Sequence, residues 1–173
     1  GTGSAARRGI LLRNGEAIER AQSVSLVVFD KTGTLTLGRP EITSAVPAPG
    51  VSKTDLAEAA WLVEARSEHP IGRAITAWAE AHGGVPENGS EASAGELQVT
   101  PGEGIAVEHA GDAWRAGRPQ WIRGFEADMH SMESAEAALL KRGATVVALS
   151  RGKEALGLIG LEDQVREDAA DTI

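Results

Sequence analysis

The chain has 173 residues and a formal net charge of −8, with a pI near 5.0. No basic run is longer than the pair Arg7-Arg8, so a nucleic-acid-binding surface is excluded. There is no cysteine, which rules out a disulfide framework and a thiolate metal site. No stretch approaches the roughly 18 apolar residues of a membrane span, and no signal-peptide pattern opens the chain. The length allows one domain and part of another.

Gly1-Thr2-Gly3-Ser4 has no starting methionine and is read as an appendage. Gly9-Ile10-Leu11-Leu12-Arg13, followed by Asn14-Gly15-Glu16-Ala17-Ile18-Glu19, predicts a short apolar stretch, a turn and a helical turn. Leu26-Val27-Val28-Phe29 then runs into Asp30. β-forming apolar residues ending on a carboxylate, before the small turn Lys31-Thr32-Gly33-Thr34, predict a buried parallel strand with Asp30 at its C-terminal end. Open α/β sheets bind ligands at that edge. A carboxylate held there could attack phosphorus as a nucleophile, while Gly33 lets backbone approach a phosphate and Thr34 offers it a hydroxyl. Carboxylate and phosphate repel, so a Mg2+ between them is expected.

A lone Asp-x-x-Gly would only cap a strand or turn, but here the whole run through Leu35-Thr36 resembles the phosphorylation signature of the P-type ATPases. The resemblance implies that Asp30 accepts phosphoryl from ATP and that Asp30 and Thr32 hold the Mg2+. In the related haloacid-dehalogenase-like phosphatases an aspartate two positions after the nucleophile is the general acid and base. This chain has Thr32 there, so an acyl phosphate should persist, as a pump intermediate must.

Gly38-Arg39-Pro40 predicts a hinge, Glu41-Ile42-Thr43-Ser44-Ala45-Val46 a strand and Pro47-Ala48-Pro49-Gly50 a loop. One helix is capped by Ser52 or Thr54 and ends near Arg66; a second starts at Pro70 and ends before Gly83-Gly84, with His82 at its boundary. Residues 84–95 predict a polar surface loop. Strands follow over 96–100, 104–109 and 113–117, with a turn at Gly111-Asp112 and a solvated His109 beside it. Trp114 and Trp121 are expected in the core. A helix over 131–142 burying Met132, Ala135 and Leu139 precedes strands over 145–149 and 154–161, joined at Arg151-Gly152-Lys153. This order predicts an antiparallel sheet with helices packed on it.

Between the first two helices lies Glu64-Ala65-Arg66-Ser67-Glu68-His69-Pro70. Proline keeps His69 extended and places it at an elbow. Pro101-Gly102-Glu103-Gly104-Ile105 brackets one residue with two glycines, where missing side chains would let a flat base or a phosphate approach the backbone. Taken singly, the histidine reads as a helix cap and the Gly-x-Gly as a turn or bulge. Together, and in this order after the phosphorylation signature, they resemble the nucleotide-binding domain of the heavy-metal-transporting P-type ATPases. The resemblance implies that Glu64 hydrogen-bonds adenine, that His69 orients the nucleotide, and that Gly102, Gly104 and Ile105 form the strand against which it lies. Gly117 matches a further glycine of the pocket, but the asparagine usual after it is Arg118 here. A guanidinium accepts no hydrogen bond, though it could pair with phosphate oxygens.

Gly157-Leu158-Ile159-Gly160-Leu161-Glu162-Asp163-Gln164-Val165-Arg166 resembles the return into the phosphorylation domain, where Asp163 would open a helix. The helical reading of 165–173 has no Gly or Pro terminator, so a fragment of a longer protein is expected. The fold class that follows is α/β: an antiparallel nucleotide-binding insert over 40–157, between the first part of an incomplete haloacid-dehalogenase-like phosphorylation domain over 1–39 and its re-entry over 158–173. The resemblance implies the ATP- and Mg2+-using cytosolic domain of an integral membrane pump. Its partners would be a heavy-metal ion bound elsewhere in that protein and the actuator domain of the same protein. A soluble phosphatase of the same superfamily and a non-catalytic nucleotide-sensing module are the alternatives. The family's later Gly-Asp-Gly segment is not in the sequence, so sustained hydrolysis by this chain is not expected.

Overall fold

The computed structural model describes residues 2–7, 9–10, 14–86 and 95–173. Two short helices, α1 (Thr2–Arg7) and α2 (Glu16–Ala21), precede a single π-type turn, Lys31–Leu35. The long strand β1 (Thr36–Pro47) leads into helices α3 (Lys53–Glu64) and α4 (Pro70–Ala81). Then come β2 (Gln98–Thr100), β3 (Gly104–His109), β4 (Asp112–Gly117), α5 (Pro119–Arg123), a 3-10 turn at His130–Met132, α6 (Glu133–Lys141), β5 (Thr145–Arg151), β6 (Glu154–Val165) and α7 (Ala169–Thr172).

The six strands form one antiparallel sheet in the order β1-β6-β5-β4-β3-β2. Helices α3 and α4 cover one face, where Leu56, Ala60, Val63 and Ile75 pack on Ile105, Val107, Val147 and Ile159. Ile122 and Leu139, from α5 and α6, cover the other face with Met132, against Val146, Ala148 and Leu158. With both faces covered, β5 and β6 read as nearly unbroken apolar runs. A bulge opposite Leu149 and Ser150 lets Leu156 and Leu158, two positions apart, serve different cores.

The local signals of α3 and α4 are met. Ser52 caps α3 through a reciprocal box with Asp55, an arrangement that contributes about 1 kcal/mol. Pro70 occupies the first turn of α4, and the Gly84 N–H bonds back to the Ala79 carbonyl after Gly83 takes φ +77°. His82 ends α4 stacked on Trp78 at 4.8 Å.

Several expectations are corrected. Residues 24–30 form no strand: Leu26 is 78%, Val28 84% and Phe29 37% exposed. A parallel strand exists only through its ladder, and among the described residues none pairs with this stretch. Gly38-Arg39-Pro40 is not a hinge between elements but part of β1, where the pairing with β6 shifts register. Asp163 opens no helix; it lies inside β6 and bonds to β1, and helix resumes only at Ala169. The β3–β4 turn is Ala110-Gly111, one residue earlier than read, because both residues take positive φ (54° and 86°), as a two-residue hairpin requires. His109 is half-buried, edge-on to Trp114, and not solvated. Trp114 and Trp121 are half-buried at the borders of the two cores. Helix α5 leaves no periodic pattern in the sequence because it is barely more than one turn long. Residues 11–13 of the expected short apolar stretch and most of the loop over 84–95 lie outside the described residues.

Candidate functional site

Helix α3 ends on Glu64, and the chain turns sharply: the Ser67 N–H donates to the Glu64 carbonyl at 2.8 Å. Glu64 is only 6% exposed. Burial pushes its pKa up to about 7, and a hydrogen bond with the Ser67 side chain opposes the shift only partly. Gly72 makes room for this group. A Cβ there would lie 2.5 Å from Glu64 Oε2 and would also strike the Ser67 hydroxyl.

His69 is the N-cap of α4, its Nδ1 accepting the Ile71 N–H at 3.2 Å. That bond fixes the neutral tautomer with its proton on Nε2, which becomes the ring's donor. The imidazole is exposed, so capping and ligand binding, alternatives in the sequence, are compatible in one residue.

The second wall comes from the sheet. The Glu103 N–H closes the turn after β2 onto the Thr100 carbonyl at 3.0 Å, with Gly102 at φ +76°. Gly104 of β3 pairs directly with Gly117 of β4. The missing side chains of Gly102 and Gly104 were expected to leave space for a ligand; a Cβ on Gly102 would meet nothing within 4 Å, but those of Gly104 and Gly117 would point away from α3 and α4, at Trp121 and at the backbone carbonyls of Ala116 and Glu103. Bare backbone is thus demanded from behind, and what faces α3 and α4 is peptide.

Glu64, His69, Gly102, Gly104, Ile105 and Gly117, drawn from three separate stretches, all line one cavity of about 790 Å3. This suits a nucleotide-sized ligand. Ile105, Ala116 and Val147 supply apolar wall, and Arg66, Glu68, Glu103 and Arg118 supply charge. Arg66 donates to the Gly95 carbonyl at 2.8 Å. Arg118 lies at the β4–α5 junction, its N–H bonded to the Glu103 carbonyl, and among the described residues its guanidinium has no ion pair. Sequence reasoning missed Gly72 beside Glu64, and it read Trp121 as core without the contact to Gly104 and Gly117. A glycine within the first turns of a helix is unfavourable by about 1 kcal/mol relative to alanine, and that is the signal for the first; nothing local in the sequence links the second to the two glycines.

Asp30 is not among the residues lining the cavity. It is exposed, with extended backbone (φ −68°, ψ 144°), at the start of the π-type turn. Gly33 takes φ +77° there, and its N–H donates to Thr36 Oγ1 at 3.2 Å. The side chain of Thr32 lies outside what is described. Among the described residues no three His, Cys, Asp or Glu side chains gather to hold a metal, and no helix is long and apolar enough to cross a membrane.

The model of the haloacid dehalogenase-like hydrolases matches residues 24–173. The chain is 33% identical over 168 residues to the zinc-transporting ATPase of Bacillus subtilis, covering 97% of this chain and 25% of that protein. It is 37% identical over 182 residues to the zinc/cadmium/lead-transporting P-type ATPase of Escherichia coli, covering 100% and 22%. A crystal structure of a zinc-transporting PIB-type ATPase in the E2.Pi state superposes with a TM-score of 0.72 at 32% identity, covering 99% of this chain and 27% of that one. The chain spans about a quarter of the length of these relatives. It belongs to the haloacid dehalogenase-like hydrolase family, among relatives that are heavy-metal P-type ATPases.

Proposed function

We propose that this chain binds ATP in the cavity between the α3–α4 elbow and the β3–β4 strands, and that Asp30 accepts its γ-phosphoryl, in a membrane protein that moves a heavy-metal ion. The observation that carries this reading is the convergence of Glu64, His69, Gly102, Gly104, Ile105 and Gly117 on one cavity. The largely apolar wall suits a purine, and a buried carboxyl can meet the donors and acceptors on the adenine edge. The Nε2–H of His69 and the uncommitted Arg118 suit ribose and phosphate oxygens. In the transfer, an Asp30 carboxylate oxygen forms a bond to the γ-phosphorus as the bond to the β–γ bridging oxygen breaks, and ADP leaves with that electron pair.

Asp30 lies outside the cavity, so the nucleotide-holding part must swing toward it. The β1–β6 ribbon, which runs from the sheet to the turn after Asp30, is the connection on which such a motion would act. This divides the chain functionally near residues 39 and 157. Mg2+ would neutralise charge between carboxylate and phosphate. The described residues offer it Asp30 but no complete ligand set, so phosphate oxygens, water and other parts of a longer protein would have to complete its shell. Thr32 in place of a proton-transferring acid favours a lasting aspartyl phosphate over a phosphatase. In the longer protein, the actuator domain and a membrane-bound metal site would be the partners.

The test has two arms. Titration of this chain with ATP should perturb the amides of Glu64, His69 and Gly102 with a Kd of roughly 0.1 to 1 mM, equivalent to about 4 to 6 kcal/mol. In the intact protein, Asp30→Asn should abolish the acid-stable phosphoenzyme. No binding at millimolar ATP, or unimpaired phosphoenzyme in Asp30→Asn, overturns the reading.

A further inference from the structure

Gly104 and Gly117 face each other across β3 and β4 and both line the cavity. A Cβ on Gly104 would lie 2.5 Å from the Ala116 carbonyl oxygen, 2.6 Å from Cζ3 of Trp121 and 2.7 Å from the Gly117 Cα; one on Gly117 would lie 2.6 Å from the Glu103 carbonyl oxygen, 2.7 Å from Trp121 Cε3 and 2.8 Å from the Gly104 Cα. The six-membered edge of the indole therefore covers both glycines at once, on the face turned from α3 and α4. The ring is itself held. Pro119 starts α5 directly after Arg118, and Ile122 beside the ring is fully buried. Phe125 meets the indole edge-to-face at 5.1 Å and 85°, and the Arg115 guanidinium sits 4.0 Å over Phe125.

Cavity, paired glycine backbone and indole thus form three successive layers. Two glycines opposite one another make the most yielding rung of a ladder, because neither carries a side chain to limit its backbone. An aromatic ring laid across such a rung supplies the missing packing and removes that freedom. We propose that Trp121 is a positioning residue of the nucleotide site: without touching the ligand, it holds the Gly104–Gly117 backbone at the height against which the nucleotide lies. This rests on the nucleotide reading above, and it adds a residue on the opposite face of the sheet.

The experiment is an ATP titration of the wild-type chain, Trp121→Leu and Trp121→Phe, followed in 1H–15N spectra well below each unfolding midpoint. The Trp121 indole N–H resonance of the wild type should move with the Gly104 and Gly117 amides. Trp121→Leu should raise the ATP Kd about tenfold, and Trp121→Phe, which restores a ring, should bring it back to within about threefold of wild type. A folded Trp121→Leu with wild-type Kd overturns the proposal and leaves the nucleotide reading intact, even if its melting point drops. Should Trp121→Leu not fold, the wild-type indole decides: a stationary indole resonance while both glycine amides move overturns the proposal. If no amide of the wild type responds to ATP, the nucleotide reading falls and this proposal with it.

Discussion

Thr36 donates its hydroxyl proton to Oδ2 of Asp163 at 2.5 Å, tying the turn after Asp30 to a strand 127 residues further on. The other Asp163 oxygen accepts the Arg39 N–H at 2.8 Å, and Thr36 Oγ1 also accepts from Gly33. Thr36 is 1% exposed, so replacing it with an isosteric apolar residue strands two partners at once. Thr36→Val should lose about 1 to 3 kcal/mol of stability. It should also speed amide exchange at Gly33 and Arg39, while Thr36→Ser keeps both near wild type. Unchanged exchange in Thr36→Val would show that the link does not order the turn.

Glu64 makes stability depend on pH in an unusual direction. Its pKa is raised from 4.5 to about 7 by burial, so between those values the folded state holds a proton that the unfolded state has lost. The contribution of Glu64 is therefore fullest below about pH 4.5 and declines as pH rises to about 7, by about 3 kcal/mol in all. Urea midpoints across this range should fall with pH in wild type, and the fall should be much shallower in Glu64→Gln. Parallel profiles would mean that the carboxyl is not desolvated.

Gly72 has no side chain because the Glu64 carboxylate and the Ser67 hydroxyl occupy that space. On an exposed helix, Gly→Ala stabilises by up to about 1 kcal/mol. Here Gly72→Ala should destabilise by about 1 to 3 kcal/mol, the usual range for overpacking, and weaken ATP binding by displacing Glu64. Calorimetric melting and ATP titration of the variant check both; a stabilised Gly72→Ala contradicts the crowding.

Arg118 lines the cavity with an exposed guanidinium. If it meets phosphate, Arg118→Ala should weaken ATP binding about threefold to tenfold at low salt and much less at high ionic strength, where such a pair is screened. Adenosine, lacking phosphates, should bind both forms alike. Equal ATP affinity at low salt removes Arg118 from the site.

How much of this was legible depended on how far apart the cooperating residues are. Pro70 with Gly83, Ser52 with Asp55, and the apolar runs of β5 and β6 act within a few residues, so their elements could be read directly. Residues 26–29 show the limit: Leu-Val-Val-Phe states a preference for a sheet, but pairing needs a neighbour, and none is described. Asp163 reads locally as a helix cap, yet its partners are Thr36 and Arg39 across a ladder. For the site, the residue types were visible, but the reason for Gly104 and Gly117 was not, because Trp121 meets them only once β3 and β4 have paired.

His69 combines two roles that a pair of substitutions can separate. Its Nδ1 caps α4 by accepting the Ile71 N–H, and its exposed ring borders the cavity. His69→Ala removes both and should lower stability by about 1 kcal/mol, the usual loss for an N-cap, along with ATP affinity. Asparagine is among the best N-cap residues but has no imidazole. His69→Asn should therefore recover the stability of α4, read from its urea midpoint, while ATP affinity stays as low as in His69→Ala. If affinity returns with the cap, the histidine acts on nucleotide only by starting the helix, and the Nε2–H makes no contact of its own.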